Sequence, residues 1–257
     1  MLLAIDVGNS HTVIGLYQDK TLLHHWRIRT DRNATPDELA TLLHELFTIK
    51  EHHFTMVTGF IIGSVVPTMQ AAWRDLSTRY LQCKAIEVDA TKLDTGMPIL
   101  MDNPAEVGAD RIINAVAAFN QYKEPLIIID FGTAITFDCV SANGEYMGGV
   151  ITPGIGISMD ALASRTAKLP KVDISTPPEK VIGTSTETAI KSGFLYGFGG
   201  MVEGVVGRLH KEFSPAVPRV IATGGMAQLI APYAPAIKSV DPLLTLKGLF
   251  ILYERNS

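Results

Sequence analysis

The chain has few cysteines and no long hydrophobic run. Only Cys83 and Cys139 occur among 257 residues, and neither lies in a CxxC pair or at metal-ligand spacing from a histidine. This excludes a disulfide framework and a cysteine-based zinc site, and both thiols are predicted to be small buried side chains. No segment approaches the roughly 18 uninterrupted apolar residues of a membrane span, so no membrane partner is expected.

A strong charge of one sign is also missing. The net charge is −4, which argues against nucleic acid as the main partner, because phosphate backbones call for basic faces. The apolar N-terminus lacks the basic region of a signal peptide, and an acid follows at Asp6. With 47% apolar residues, the composition is typical of a globular protein, and a cytoplasmic location is expected.

A pattern of three strands and tight turns occurs twice. Alternation and turn residues predict strands at 2–7, 11–17 and 21–29, and again at 126–130, 134–140 and 145–151. Asp6 then corresponds to Asp130 at an offset of 130 − 6 = 124 residues, and Thr12 corresponds to Thr136. We therefore expect an internal duplication with a boundary near residue 120, giving halves at 1–120 and 121–257.

Helical and strand patterns alternate after each set of three strands, which predicts an α/β fold with mixed sheets flanked by helices. The last helix is expected to have Asp241 as its N-cap and Pro242 at its first position. Residues 165–186 are expected to be irregular, either as a functional segment or as a surface connection. The other predicted helices are 36–48, 68–82, 187–211 and 226–231, and the other strands are 57–63, 84–88 and 218–222.

Each half opens with a hairpin that has the features of an anion site. Gly8 permits a sharp turn, which exposes backbone N–H groups and small polar side chains such as Asn9, Ser10 and Thr12. Asp6 precedes this turn at a strand end, where its carboxylate suits Mg²⁺. A single copy is also explained as an Asx-turn, but Asp130, Gly132 and Thr133 repeat the pattern. Two such loops can hold one polyphosphate, and neither is a Walker A loop or a Rossmann fingerprint.

Residues 103–111 form a candidate catalytic segment. Asn103 is predicted to cap a helix, with Pro104 at its first position and Glu106 at capping-box spacing. Asp110 would lie near the helix start, where the helix dipole favours its anionic form and a low pKa. Such a carboxylate can still orient a hydroxyl group in phosphoryl transfer, and Arg111 can bind a carboxylate. From composition alone, an acid–base pair on a solvated helix face is the commoner explanation.

Together these motifs resemble those of the type III pantothenate kinases, which belong to the actin, sugar kinase and Hsp70 superfamily. The resemblance extends over essentially the whole chain and implies a duplicated actin-like (ribonuclease H-like) fold. The motifs that carry it are Asp6–Ser10, Asn103–Arg111, Asp130–Thr133, Gly148–Gly154, the adenosine-type motif Val220–Gly225, and the tail Asp241–Leu249.

The resemblance implies an enzyme that uses ATP and Mg²⁺ to phosphorylate pantothenate to 4′-phosphopantothenate, the first step of coenzyme A biosynthesis. Asp110 would accept the proton, Asp130 would bind K⁺ or NH₄⁺, and Thr186 would contact pantothenate across a homodimer. The implied pantothenate-binding residues are Gly108, Ala109, Asp110, Arg111 and Thr186. The implied ATP-binding residues are Asp6, Val7, Gly8, Asn9, Ser10, His11, Thr12, Val13 and Thr133.

Two further features qualify this interpretation. Met101 stands where the family usually has a tyrosine that contacts pantothenate, and Thr184 and Glu187 have capping-box spacing beside Thr186. Six glycines within 193–207 indicate close packing of a helix, which we associate with the dimer. Two alternatives are a kinase for another small alcohol and a non-catalytic nucleotide-binding regulator. The regulator would be expected to have lost Asp110 or the phosphate loops.

Overall fold

Two five-stranded mixed sheets form the framework of the chain, which the computed structural model describes from Met1 to Ser257. The first unit consists of Met1–Gln121 and Leu244–Ser257, and the second of Tyr122–Leu243. The helices are α1 (Pro36–Ile49), α2 (Pro67–Arg79), α3 (Ala109–Tyr122), α4 (Ile155–Arg165), α5 (Thr186–Phe213), α6 (Ala227–Ile230) and α7 (Leu244–Asn256).

The first sheet is built around a central strand that is buried on both faces. Its strands are β1 (Leu2–Val7), β2 (His11–Gln18), β3 (Thr21–Arg29), β4 (Gly59–Ser64) and β5 (Ala85–Glu87). They lie in the order β3-β2-β1-β4-β5, with β1 antiparallel to β2 and parallel to β4. α1 begins with a complete capping box between Thr35 and Glu38 and packs Leu39, Leu43 and Phe47 into the core.

The second sheet repeats this arrangement. Its strands are β6 (Leu126–Phe131), β7 (Ala134–Val140), β8 (Tyr146–Pro153), β9 (Arg219–Thr223) and β10 (Ser239–Val240). They lie in the order β10-β9-β6-β7-β8, with β6 antiparallel to β7 and parallel to β9. Both sheets therefore have the mixed topology that the two sets of strand patterns predicted, with an acid near the end of the central strand.

The two hairpins differ by one residue, which corrects the predicted correspondence of Thr12 with Thr136. Asp6 pairs with Val13 across the β1–β2 ladder, whereas Asp130 pairs with Thr136 across β6–β7. Thr12 instead pairs with Val7. The turn after β1 is one residue longer, so Val13 is the structural counterpart of Thr136.

The last helix, α7, belongs to the first unit and not to the second. α7 contacts β1, β2 and β4 of the first unit, whereas the sequence placed it within 121–257. It begins at Leu244, two residues after the predicted first position at Pro242, and the side chain of Asp241 accepts a hydrogen bond from the N–H of Leu243 in the turn before it. The tail therefore completes the first unit's core, in which Gly248 packs against Ile113.

The two cysteines differ in burial. Cys139 is buried as expected, but Cys83 is only partly buried. The segment between α4 and α5 has no regular structure, in agreement with the prediction of an irregular connection. α4 has no counterpart among the helices predicted from the sequence. None of the helices combines the length and the apolar character that crossing a membrane requires.

Candidate active site

The turn after β1 is fixed by hydrogen bonds to Thr30, the residue that follows β3. The N–H of Gly8 donates to the carbonyl of His11 (3.0 Å), and the hydroxyl of Thr30 donates to the carbonyl of Gly8 (2.8 Å). Thr30 also donates its N–H to Ser10 (3.0 Å). Asn9, Ser10 and His11 are exposed. The turn is therefore a fixed, solvent-facing polar loop of the kind that binds anions.

Thr12 does not face a ligand as the sequence analysis expected. Its side chain is fully buried, and its hydroxyl shares a 3.0 Å hydrogen bond with that of Thr30. Val7 is likewise fully buried. Both residues support the turn from within the unit, so the exposed polar side chains are those of Asn9, Ser10 and His11.

Arg32 and Thr30 are site residues that the sequence analysis missed. The guanidinium Nη2 of Arg32 donates to Oδ1 of Asn9 at 2.8 Å, which places a cation beside the turn. The ladder between β2 and β3 pairs His11 with Arg29, so residues just after β3 must lie beside residues just before β2. The signal available in the sequence was the predicted pair of adjacent strands, 11–17 and 21–29, which places the end of the second beside the start of the first.

Asp6 lies at the end of β1 with its side chain partly exposed. Its carboxylate has the chemistry that Mg²⁺ prefers. No group of three or more His, Cys, Asp or Glu side chains is arranged to hold a metal ion. Mg²⁺ in kinases is commonly bound by one or two carboxylates together with the substrate phosphates, and the partly exposed carboxylate of Asp6 has the chemistry for that role.

His11 carries a perturbed imidazole at the edge of this turn. Partial burial, and secondarily the positive charge of Arg27, lower the pKa of His11 below its ordinary value. The side chain is therefore mainly neutral near pH 7 and adds little positive charge to the turn.

The turn after β6 is shorter and is supported by another glycine. The N–H of Gly132 donates to the carbonyl of Ala134 (3.0 Å), and the N–H of Gly154 donates to the carbonyl of Thr133 (3.1 Å). A Cβ at Gly154 would overlap the carbonyl of Thr133. Gly154 therefore allows the chain before α4 to approach the turn, and Thr133 remains exposed.

Asp130 stands among oxygen-bearing neighbours. In the register it pairs with Thr136 on β7 and with Thr223 on β9. Its Oδ1 extends over Gly224, which has a φ of +92° and no room for a Cβ. A carboxylate flanked by hydroxyl groups suits a hard cation, so these residues fit the K⁺ or NH₄⁺ that the sequence analysis expected at Asp130.

The segment before α3 differs from the predicted continuous helix. Pro104–Glu106 form one 3-10 turn, in which the side chain of Asn103 accepts from the N–H of Ala105 and its amide donates to the side chain of Glu106 (2.9 Å). The chain is then extended at Val107, and α3 begins at Ala109. Asp110 consequently lies in the first turn of α3.

Asp110 is held in a recess at the start of this helix. Its Oδ1 accepts the N–H of Arg111 at 2.8 Å, and a Cβ built at Gly108 would lie 2.6 Å from the same oxygen. Burial raises the pKa of Asp110, although the N–H and the positive charge of Arg111 partly offset that rise. The expected low pKa was therefore wrong, because loss of solvation outweighs the favourable helix start.

The start of α3 lies at the same sheet edge as the turn after β1. The position of a Cβ on Gly108 is 3.7 Å from Cγ1 of Val65, and the N–H of Val65 donates to the carbonyl of Val7 at 3.1 Å. The first unit thus brings Gly108 and Asp110 toward the strand end that carries Asp6.

Thr186 is the first residue of α5. The N-cap is Ser185, which forms a capping box with Thr188, so the predicted pairing of Thr184 with Glu187 was wrong. Glu187 instead pairs with Lys191 (2.8 Å). Thr186 borders a cavity of about 640 Å³ whose other lining residues are Ser158, Leu162, Leu169, Ala189, Ile190, Gly193, Phe194 and Phe198.

Comparison with known proteins identifies the family. Residues 2–208 match the family model described as type III pantothenate kinase. A type III pantothenate kinase of Desulfatibacillum aliphaticivorans is 49% identical over 257 residues, covering 100% of this chain and 99% of that protein. One from Desulforapulum autotrophicum is 50% identical over 255 residues, covering 99% and 97%. The chain belongs to the type III pantothenate kinase family.

This type III pantothenate kinase uses ATP with Mg²⁺ to phosphorylate pantothenate in the first step of coenzyme A biosynthesis. Its fold is shared with a ROK family glucokinase from Streptomyces griseus, at 12% identity and a TM-score of 0.56 over 99% of this chain and 98% of that one. The predicted duplicated actin-like fold is therefore confirmed. The family assignment favours pantothenate over the two alternatives considered from sequence.

Proposed function

We propose that Asp110 is the general base of an in-line transfer from ATP to the terminal hydroxyl of pantothenate. The observation that carries this proposal is the recess at the start of α3, in which the N–H of Arg111 fixes Oδ1 of Asp110 at 2.8 Å beside Gly108. Burial in this recess raises the pKa of Asp110. A base with a raised pKa accepts a proton more readily than an ordinary surface aspartate.

The reaction needs alignment more than strong basicity. The hydroxyl oxygen of pantothenate bonds to the γ-phosphorus as the bond to the bridging oxygen breaks, and ADP leaves. Because the transition state is loose, the hydroxyl proton passes to Asp110 late. Asp110 therefore acts first by orienting the hydroxyl and then by taking its proton.

The residues around Asp110 are proposed to bind pantothenate. Gly108 and Ala109 bring backbone to the recess, and the guanidinium of Arg111 can bind the pantothenate carboxylate by two parallel hydrogen bonds. Met101 replaces a tyrosine contact of the family. The lost hydroxyl would weaken binding by about 1 kcal/mol.

ATP is proposed to bind at residues 6–13 and at Thr133. The exposed loop of Asn9, Ser10 and His11 offers backbone N–H groups and neutral polar side chains to phosphate oxygens. Val7, Gly8, Thr12 and Val13 shape this loop. Asp6 would hold Mg²⁺, which supplies charge neutralisation of the phosphates when bound.

Asp130 is proposed to hold the monovalent cation. Its position between Thr136 and Thr223 supports this role, because all three side chains carry oxygen ligands. The chemistry supplied there is positive charge near the phosphate-binding turn that ends at Thr133.

A homodimer is proposed to complete the pantothenate site through Thr186, in a cytoplasmic enzyme. The surface of α5 is open along one side, because a Cβ at Gly193, Gly197, Gly200 or Gly207 would meet nothing within 4 Å. This open side and the apolar cavity beside Thr186 leave a surface that a second copy can cover.

The test compares Asp110→Asn with Asp102→Asn, an exposed acid nearby, in an ADP-release assay with pantothenate, Mg²⁺ and K⁺. Asp110→Asn should lose about 10²- to 10⁴-fold in kcat, the usual contribution of a general base. Its pantothenate affinity, measured by titration calorimetry, should stay within a few-fold of wild type. Wild-type turnover in Asp110→Asn would remove this residue from the mechanism.

A further inference from the structure

The two sheets give their matched aspartates different neighbours. Asp6 pairs with Val13 on one side and Gly63 on the other, and neither side chain has an oxygen. Asp130 pairs with Thr136 and Thr223 at the equivalent positions. Paired positions on adjacent strands place their side chains on the same face. Of the two equivalent aspartates, only Asp130 therefore has hydroxyl-bearing residues at both of its paired positions.

The two threonines beside Asp130 differ in access. Thr223 is buried, with 2% of its surface exposed. Thr136 is partly exposed, as is Asp130. A cation arriving from solvent can therefore reach Asp130 and Thr136 together, whereas Thr223 belongs to the packed interior.

The hydroxyl of Thr136 donates a hydrogen bond to a buried carboxyl group. Its Oγ1 donates to Oδ2 of Asp138 at 3.0 Å, and the hydroxyl of Tyr146 donates to Oδ1 of Asp138 at 2.6 Å. Asp138 and Tyr146 are both fully buried. In the first sheet the ladder position of Asp138 is occupied by Gly15, so the arrangement is specific to the second unit.

This arrangement fixes what Thr136 can offer on its other side. A hydroxyl has one proton and two lone pairs, and once the proton is donated to Asp138 only lone pairs remain. Thr136 therefore does not use that proton on Asp130, and its oxygen is free to bind a cation. A buried carboxyl group is unfavourable unless donors satisfy it, and Thr136 and Tyr146 each donate one hydrogen bond to Asp138. The Thr136 hydroxyl is therefore held toward Asp138.

We propose that Thr136 is a second oxygen ligand of the monovalent cation bound by Asp130, and that Asp138 is the positioning residue that orients the Thr136 hydroxyl. This proposal rests on the proposed cation role of Asp130. It selects Thr136, and not Thr223, as the threonine that binds the cation, and it adds a carboxyl group that orients the Thr136 hydroxyl.

The ligand role is tested by Thr136→Val, which keeps the shape and removes the oxygen, with Thr136→Ser as the control that keeps a hydroxyl. K⁺ binding is followed as the rise in melting temperature with KCl, at ionic strength held constant with choline chloride. Half-activation of turnover by K⁺ is the second readout. Thr136→Val should raise both K⁺ midpoints about tenfold or more, and Thr136→Ser should leave them within about threefold.

The positioning role is tested by Asp138→Asn against Tyr146→Phe. Tyr146→Phe removes a hydrogen bond to the same carboxyl group but leaves the one from Thr136. Both variants should lower the melting temperature, yet only Asp138→Asn should raise the K⁺ midpoints. Equal K⁺ midpoints in these two variants would contradict the positioning role of Asp138 and leave it only a role in stability.

The remaining outcomes separate this proposal from the function on which it rests. Wild-type protein that is stabilised by K⁺, with Thr136→Val showing the same midpoint, would overturn the ligand role of Thr136 and leave the cation site of Asp130 standing. Wild-type protein that does not respond to K⁺ in either readout would overturn both.

Discussion

Gly108 leaves no room for a side chain beside Asp110, so adding one methyl group there tests how closely the position of the carboxylate controls turnover. In Gly108→Ala the new Cβ would lie 2.6 Å from Oδ1, whereas ordinary van der Waals contact begins at 3.4 Å. The difference, 3.4 − 2.6, requires the carboxylate to move by about 0.8 Å. A misplacement of about 1 Å can lower a rate by about 10²-fold.

The assay is steady-state ADP release at saturating ATP, with melting temperature measured on the same samples. We expect kcat to fall by about 10²-fold in Gly108→Ala with little change in stability, because the backbone of Gly108 does not have a positive φ. Gly156→Ala is the matched control, since a Cβ there meets nothing within 4 Å. A kcat equal to wild type in Gly108→Ala would refute the claim that the position of the Asp110 carboxylate limits catalysis.

The remaining predictions concern charge and packing in the first unit. Because burial raises the pKa of Asp110, the fall of kcat/KM on the acidic side should occur at a higher pH than an ordinary aspartate would give. At pH 7 the melting temperature of Asp110→Asn should be no lower than that of wild type, because ionised Asp110 opposes folding above its pKa. Arg32→Gln removes the cation bonded to Asn9, so KM for ATP should rise about tenfold, and an unchanged KM would exclude Arg32 from the ATP site. Gly248→Ala would force a Cβ into the carbonyl of Ile113, so urea unfolding should show a loss of about 1–3 kcal/mol, and unchanged stability would contradict that packing.

Much of the fold could be predicted because local patterns specify it. The apolar run of β1 and the acid after it, repeated at β6, identify two central strands, and the Thr35–Glu38 capping box marks the start of α1. These signals depend on neighbouring residues only. The same reasoning could not predict the register of the hairpins, which depends on one extra residue in the turn after β1.

The chemistry of the site was harder to predict because it depends on tertiary packing. The sequence placed Asp110 near a helix start and expected a low pKa, but burial at that position has the larger effect. Thr12 was expected to face a ligand and is instead bonded to Thr30, which is distant in sequence. The packing of α7 on the first unit is likewise a contact between distant segments.

The most direct test of Asp110 as the base is a crystal structure with pantothenate and a non-hydrolysable ATP analogue. The account predicts a carboxylate oxygen of Asp110 within about 2.6–3.2 Å of the terminal hydroxyl of pantothenate, with that hydroxyl in line with the γ-phosphorus. A terminal hydroxyl that is hydrogen-bonded to another side chain, with the carboxylate of Asp110 turned away from it, would contradict the account.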